Sequence, residues 1–119
     1  MENNLIEIFG EMVKESRDTP LNVVSDFKNN KFPKTPTEEE KALIELIQTL
    51  TTEQFHQLEK GIKYCVEFSL FSLIHRIENG ESTYSFELFI QNGNEKAQLV
   101  GKNIDNELMY EYWNWLKEK

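Results

Sequence analysis

The stretch Phe68-Ser69-Leu70-Phe71-Ser72-Leu73-Ile74-His75-Arg76-Ile77 decides the fold of this chain. Its residues suit either regular state. Read as a strand, with Asn79-Gly80 as the turn behind it, it adds a strand to the hairpin that follows. Read as a helix, it continues a 3.6-residue pattern unbroken from Phe55. Ile62, Val66, Ser69, Leu70, Leu73 and Ile77 then form one stripe, and Tyr64, Phe68, Phe71 and His75 a second. The continuity favours the helix, from about Thr51 to Ile77, although Gly61 weakens it by about 1 kcal/mol relative to alanine. A helix apolar on two faces is central to its domain. The apolar run Leu70–Ile74 is broken by Ser72 and ended by His75 and Arg76, far short of the ~20 residues of a membrane span.

Beyond it, Tyr84, Phe86, Leu88 and Ile90 alternate with Ser85, Glu87 and Phe89, the period of a strand with one buried face. Asn92-Gly93 has the sequence of a type I′ turn, which sets Leu88 opposite Ala97 and Phe86 opposite Leu99. An isolated hairpin is marginal in water, so its apolar face must lie on helices or join further strands. A last helix is expected from Asp105, a good N-cap, to Lys117, with Ile104 placed to staple onto Met109. Its residues Leu108, Met109, Tyr112, Trp113, Trp115 and Leu116 span roughly 160° at 100° per residue.

On the N-terminal side, residues 4–16 read as an amphipathic helix, with Leu5, Phe9, Met12 and Val13 at helical spacing and Ile6 beside them. Residues 17–36 read as an ordered connecting segment, punctuated by Pro20, Pro33, Pro36 and the turn-forming Asn29-Asn30. Leu21, Val23, Val24, Phe27 and Phe32 could anchor it. Thr37 and Glu40 form a capping box for a second helix, and Glu38, Glu39 and Glu40 crowd its positive end. Thr51 and Gln54 repeat the box at the start of the central helix. The expected class is thus α+β and mostly helical: N-terminal helices and a long central helix packed with a β-hairpin, or a three-stranded meander, and a C-terminal helix.

The 119 residues fit a single domain, 1–119. With 39% hydrophobic and 12% aromatic residues the chain is too apolar to be disordered at its charge. That charge is −8, from 21 Asp and Glu against 13 Lys and Arg. Residues 37–119 hold fifteen acids against eight bases. Such a balance disfavours nucleic acid and anionic membranes and favours a cationic partner, or simply solubility. Met1-Glu2-Asn3-Asn4 has no basic n-region, and the lone Cys65 forms no intrachain disulfide, so the expected location is the cytoplasm.

Chemistry is hard to find in this sequence. Cys65 and His75 lie ten residues apart, about 15 Å along a helix, too far to pair. Cys65 among Tyr64, Val66 and Phe68 reads as a buried, inert thiol. There is no P-loop, GxGxxG or Gly-x-Ser-x-Gly motif, and two histidines with one cysteine are too few for a structural zinc site. His56 reads as exposed and His75 as a helix-end residue. The sequence therefore calls for no enzyme activity, no cofactor and no metal. It leaves the oligomeric state open.

Binding is better represented. Glu7, Glu11 and Glu15 recur at four-residue spacing and make an acidic rail. Tyr110, Glu111, Trp113 and Trp115 combine aromatics with an acid near the C-terminus, and Trp and Tyr dominate interface hot spots. These seven residues are the expected partner surface.

From residue 62 to 116, a Phe-rich helix, the hairpin from Phe86-Glu87-Leu88-Phe89 to Leu99 and a short aromatic helix resemble small uncharacterised bacterial α+β proteins. In size, acidity and absence of a catalytic signature the chain is similar to the immunity proteins that protect bacteria from contact-dependent growth inhibition toxins and bacteriocins. That resemblance implies a cytoplasmic inhibitor that binds a basic toxin domain, often a nuclease. It carries no residue roles with it. A generic adaptor or regulatory subunit is the alternative, with an unrecognised enzyme around His75 third.

Overall fold

Residues 68–77 are helical. In the computed structural model, which describes residues 2–102, 104, 105 and 107–117, they lie within one long helix. The order is α1 (Glu2–Lys28), α2 (Glu38–Thr49), α3 (Thr52–Asn79), β1 (Leu88–Asn92), β2 (Glu95–Val100) and α4 (Glu107–Leu116). The chain is α+β and mostly helical. Its sheet has two strands, with no third among the described residues. No helix is long and apolar enough to cross a membrane among the described residues.

Contacts divide the chain into two compact units. The first is Met1–Ser16 with Glu67–Lys119, and the second is Arg17–Val66. In the first, Ile6 and Val13 of α1, Ile74 of α3, Leu99 and Val100 of β2, and Leu108, Tyr112, Trp115 and Leu116 of α4 form one buried cluster. The hairpin thus does lie with its apolar face among helices. In the second, Val24 and Phe27 of α1, Ile47 of α2 and Phe55 of α3 form the core, with Leu43, Ile44 and Leu50 packed on it. Each such fully buried side chain contributes about 1.5–3 kcal/mol.

The connecting segment expected over 17–36 is mostly helix. α1 runs through Pro20 to Lys28. Proline removes one donor from the ladder, but the residues beyond it, Val24 and Phe27, are each only 3% exposed. Burial of that pair outweighs one lost bond. Asn29-Asn30 is a turn, but one that ends a helix. Asn30 has a φ of 64°, its N–H donates to Phe27 O at 3.2 Å, and the Lys31 N–H donates to Asp26 O at 2.8 Å. These are the two bonds of a Schellman cap around a left-handed residue.

Both capping boxes form. Thr37 Oγ1 accepts from the Glu40 N–H at 3.1 Å, and Glu40 Oε1 accepts from the Thr37 N–H at 2.8 Å. Thr51 and Gln54 repeat the exchange at 3.1 and 2.9 Å. Cys65, expected inside, is exposed. Val66 beside it is half-buried, and of the expected stripe Ser69 and Leu73 are exposed while Ile74, in neither stripe, is buried.

The hairpin is shifted by one turn position. Asn92 pairs with Glu95, Ile90 with Ala97 and Leu88 with Val100, so Leu88 is not opposite Ala97. Gly93 and Asn94 are the central turn residues in place of Asn92 and Gly93. Gly93 has a φ of 63°, and among the described non-glycine residues only Asn30 has a positive φ. A positive φ at the first central position alone is the type II′ pattern, which wants glycine there. The register slips once more between Leu88 and Phe89, at a bulge. Tyr84 and Phe86 precede the strand and are exposed, 52% and 43%.

Candidate functional site

The expected partner residues all belong to the first unit, and the unit also holds most of the charge. It contains 13 acids and 6 bases, a net of −7, whereas the second contains 8 and 7, a net of −1. Within the first unit Glu7 and Glu11 of α1 meet the Trp115 flank of α4, and Tyr110 and Trp113 occupy the other flank.

Glu7 and Glu11 line a small cleft of about 140 Å³ with Lys14 of α1 and Asn114, Trp115 and Lys117. Glu15 lies one turn further along α1 and is exposed, as are Glu7 and Glu11. Glu111 falls on the same flank of α4 as Trp115, and its Oε2 accepts from Asn114 Nδ2 at 3.3 Å. Trp115 itself is a correction. It was expected at a partner surface but is 9% exposed, its ring 5.9 Å from that of Phe9. A Cβ on Gly10 would overlap the indole, so only glycine lets the ring sit there. The arc of α4 is wide enough to bury one of its two edge tryptophans, and glycine on α1 selects Trp115. Its Nε1 has no hydrogen-bond acceptor among the described residues.

Tyr110 and Trp113 occupy the other flank, 79% and 49% exposed. Trp113 stacks on Phe71 of α3, centroids 5.7 Å apart, and Phe71 in turn stacks on His75 at 6.2 Å. Phe68 adds a tilted ring 6.2 Å from Phe71 and is 55% exposed. Tyr112, fully buried beneath, meets Trp113 edge-on at 4.8 Å and donates its hydroxyl to the Glu67 carbonyl. Phe68 and Phe71 were visible in sequence only as members of a helical stripe. The seat of Trp113 on Phe71 follows from a contact that local spacing does not encode.

The α4 terminus is held in an unexpected way. The Leu108 and Met109 N–H groups donate to Glu78 Oε2 and Oε1 of α3 at 2.8 and 2.9 Å. One carboxylate thus caps a helix starting 29 residues downstream and takes the place expected for Asp105. Burial pushes the Glu78 carboxyl above its usual 4.5. The two backbone bonds and the His75 imidazole pull it back, and Glu107 adds to the rise.

Beside this lies a cleft of about 430 Å³ lined by Phe68, Phe71, Ser72, His75, Arg76, Asn79, Gly80 and Glu81. His75 shares this cleft with Glu81, and the Glu78 carboxylate next to it interacts with the same imidazole. In the second unit His56 pairs with Glu59 at 3.1 Å, next to a shallow cleft with Leu21, Lys60 and Lys63. Among the described residues no group of three or more His, Cys, Asp or Glu is placed to hold a metal ion.

The first unit thus presents exposed aromatics and carboxylates on helices whose inner faces form a core. No protein-family model, no curated protein and no solved structure matches the chain.

Proposed function

We propose that this protein binds and neutralises a cationic toxin domain, a nuclease in the first instance, in the manner of a small cytoplasmic immunity protein. It acts by occupancy, without turnover of its own. The reading rests on one observation above all: the unit that presents Tyr110 and Trp113 also carries a net charge of −7. Carboxylates on that unit steer a basic partner into encounter, and rigid aromatics supply the buried contact that slows its release. The lone, exposed thiol of Cys65 suits a reducing compartment.

The test is a salt series of affinities between a cationic nuclease domain and two forms of the protein, wild type and Glu7→Lys/Glu11→Lys/Glu15→Lys. Electrostatic steering predicts a slower association rate in the triple variant and a wild-type rate that falls steeply with salt. An unchanged rate removes the acidic rail from the interface. Salt-independent binding that nevertheless needs Tyr110 and Trp113 favours the adaptor alternative, in which charge serves only solubility.

A further inference from the structure

The hairpin of the first unit is unfinished along one side. β1 pairs with β2 only, and no further strand joins it among the described residues. Residues flanking a two-residue turn bond to each other, so Asn92 and Ile90 direct their backbone groups at β2. Phe89 and Gln91 then point their N–H and C=O groups outwards, and no backbone partner meets them among the described residues. β1 reads Leu88-Phe89-Ile90-Gln91-Asn92, with no charge and no proline. Charge and proline are two of the devices that keep an edge from pairing, and the one that β1 does carry, the bulge between Leu88 and Phe89, lies at its start.

An apolar groove of about 210 Å³ runs beside this edge, between Ile8, Phe9 and Met12 of α1 and Leu88, Phe89 and Ile90 of β1. Ile8, Met12 and Phe89 stand 42%, 52% and 46% exposed. Glu11 and Glu15, a turn away along α1, and Glu87, just before β1, are exposed acids around it, against the cation Lys96, whose Nζ lies 4.7 Å from the Phe89 ring centroid. Open backbone groups, an apolar floor and a carboxylate rim are together what an added strand recognises.

We propose that the outer edge of β1 is the docking site for an extended, basic segment of the protein's partner. Its backbone bonds to Phe89 and Gln91. Its apolar side chains, at alternate positions, rest on Ile8 and Met12, and its Lys or Arg side chains answer the surrounding carboxylates. Charge chooses this occupant over a second copy of the chain, since β1-to-β1 pairing would bring together two units of net −7. The inference rests on the reading of the protein as a binder of a cationic domain, and says which backbone receives it.

The probe is a synthetic eight-residue peptide alternating lysine and valine, added to the full chain while backbone amide exchange is followed by NMR. Free protein should exchange Phe89 and Gln91 fast and Ile90 and Asn92 slowly. Saturating peptide should slow the first two by about tenfold or more. Met12→Ser, at an exposed position, removes the apolar contact without adding charge and should weaken the peptide about tenfold with the circular dichroism spectrum unchanged. Three results overturn the site: no binding at millimolar peptide, binding that leaves Phe89 and Gln91 exchanging as before, or a dimer in which those amides are already protected. Failure of a cationic nuclease domain to bind at all is a separate result. It removes the proposed function and leaves the peptide measurement to judge the edge on its own.

Discussion

The helices α2 and α4 solve the same problem by opposite means. Each must satisfy N–H groups that no helical carbonyl can reach. α2 does so within four residues, Thr37 and Glu40 exchanging side-chain bonds. α4 borrows a carboxylate from α3, Glu78, across 30 positions to Leu108 and 31 to Met109. The first device works in any context that lets the turn form. The second works only once α3 and α4 have found each other, so it ties the C-terminal helix to the tertiary structure of its unit. A local cap stabilises a helix, whereas a remote one makes helix and packing conditional on each other.

Substitutions at the two caps should separate these cases. The largest effect is expected from Glu78→Ala, which leaves two amides without an acceptor. Discounted for partial exposure, the loss should be about 2–3 kcal/mol in urea unfolding followed by tryptophan fluorescence. Thr37→Ala should cost about 1 kcal/mol. If it costs as much as Glu78→Ala, the distinction between local and remote caps fails. Glu78→Gln keeps an acceptor and sheds the buried charge, so it should fall well short of the alanine variant, and the difference depends on pH. The folded pKa of Glu78 is raised, so protonation favours the folded state. That contribution is complete below the unfolded value near 4.5 and is lost as pH rises through the higher folded value. Wild type should therefore gain on Glu78→Gln with acidification, as read from paired urea titrations between neutrality and that value. The smallest effect belongs to Tyr110→Ala. At 79% exposure its removal should change stability by less than about 0.5 kcal/mol. Any loss of partner affinity in that variant is then a contact effect.

The same divide explains which parts of the molecule were legible in sequence. The capping boxes and the helical state of residues 68–77 are written within a few neighbouring residues, and both were read in advance; the inward face of α3 was not, since its buried Ile74 lies in neither expected stripe. Pro20 misled because its cost is local while its compensation, the burial of Val24 and Phe27, is not. The hairpin register missed by one position because Asn92-Gly93 fits a type I′ turn and Gly93-Asn94 a type II′ turn, and strand pairing decides between them. At the candidate site, Tyr110 and Trp113 could be proposed from composition and helical arc. That Trp115 goes inside could not, since the reason is a missing side chain at Gly10 on another helix. The acidic rail was legible as a pattern. The apolar groove beside it was not, because Met12 read as core.

The chain's two tryptophans turn this division into an optical property. Trp115 is packed away from water against Gly10 and Phe9, with one edge on the cleft of Glu7 and Glu11, and Trp113 stands half in water on Phe71. Emission from Trp115 should be blue-shifted and shielded from iodide, while that from Trp113 should be redder and quenchable. Since both residues belong to one unit, the native chain carries a two-channel reporter for it: one colour follows its unfolding, and the other is dimmed or protected when something lands on its surface.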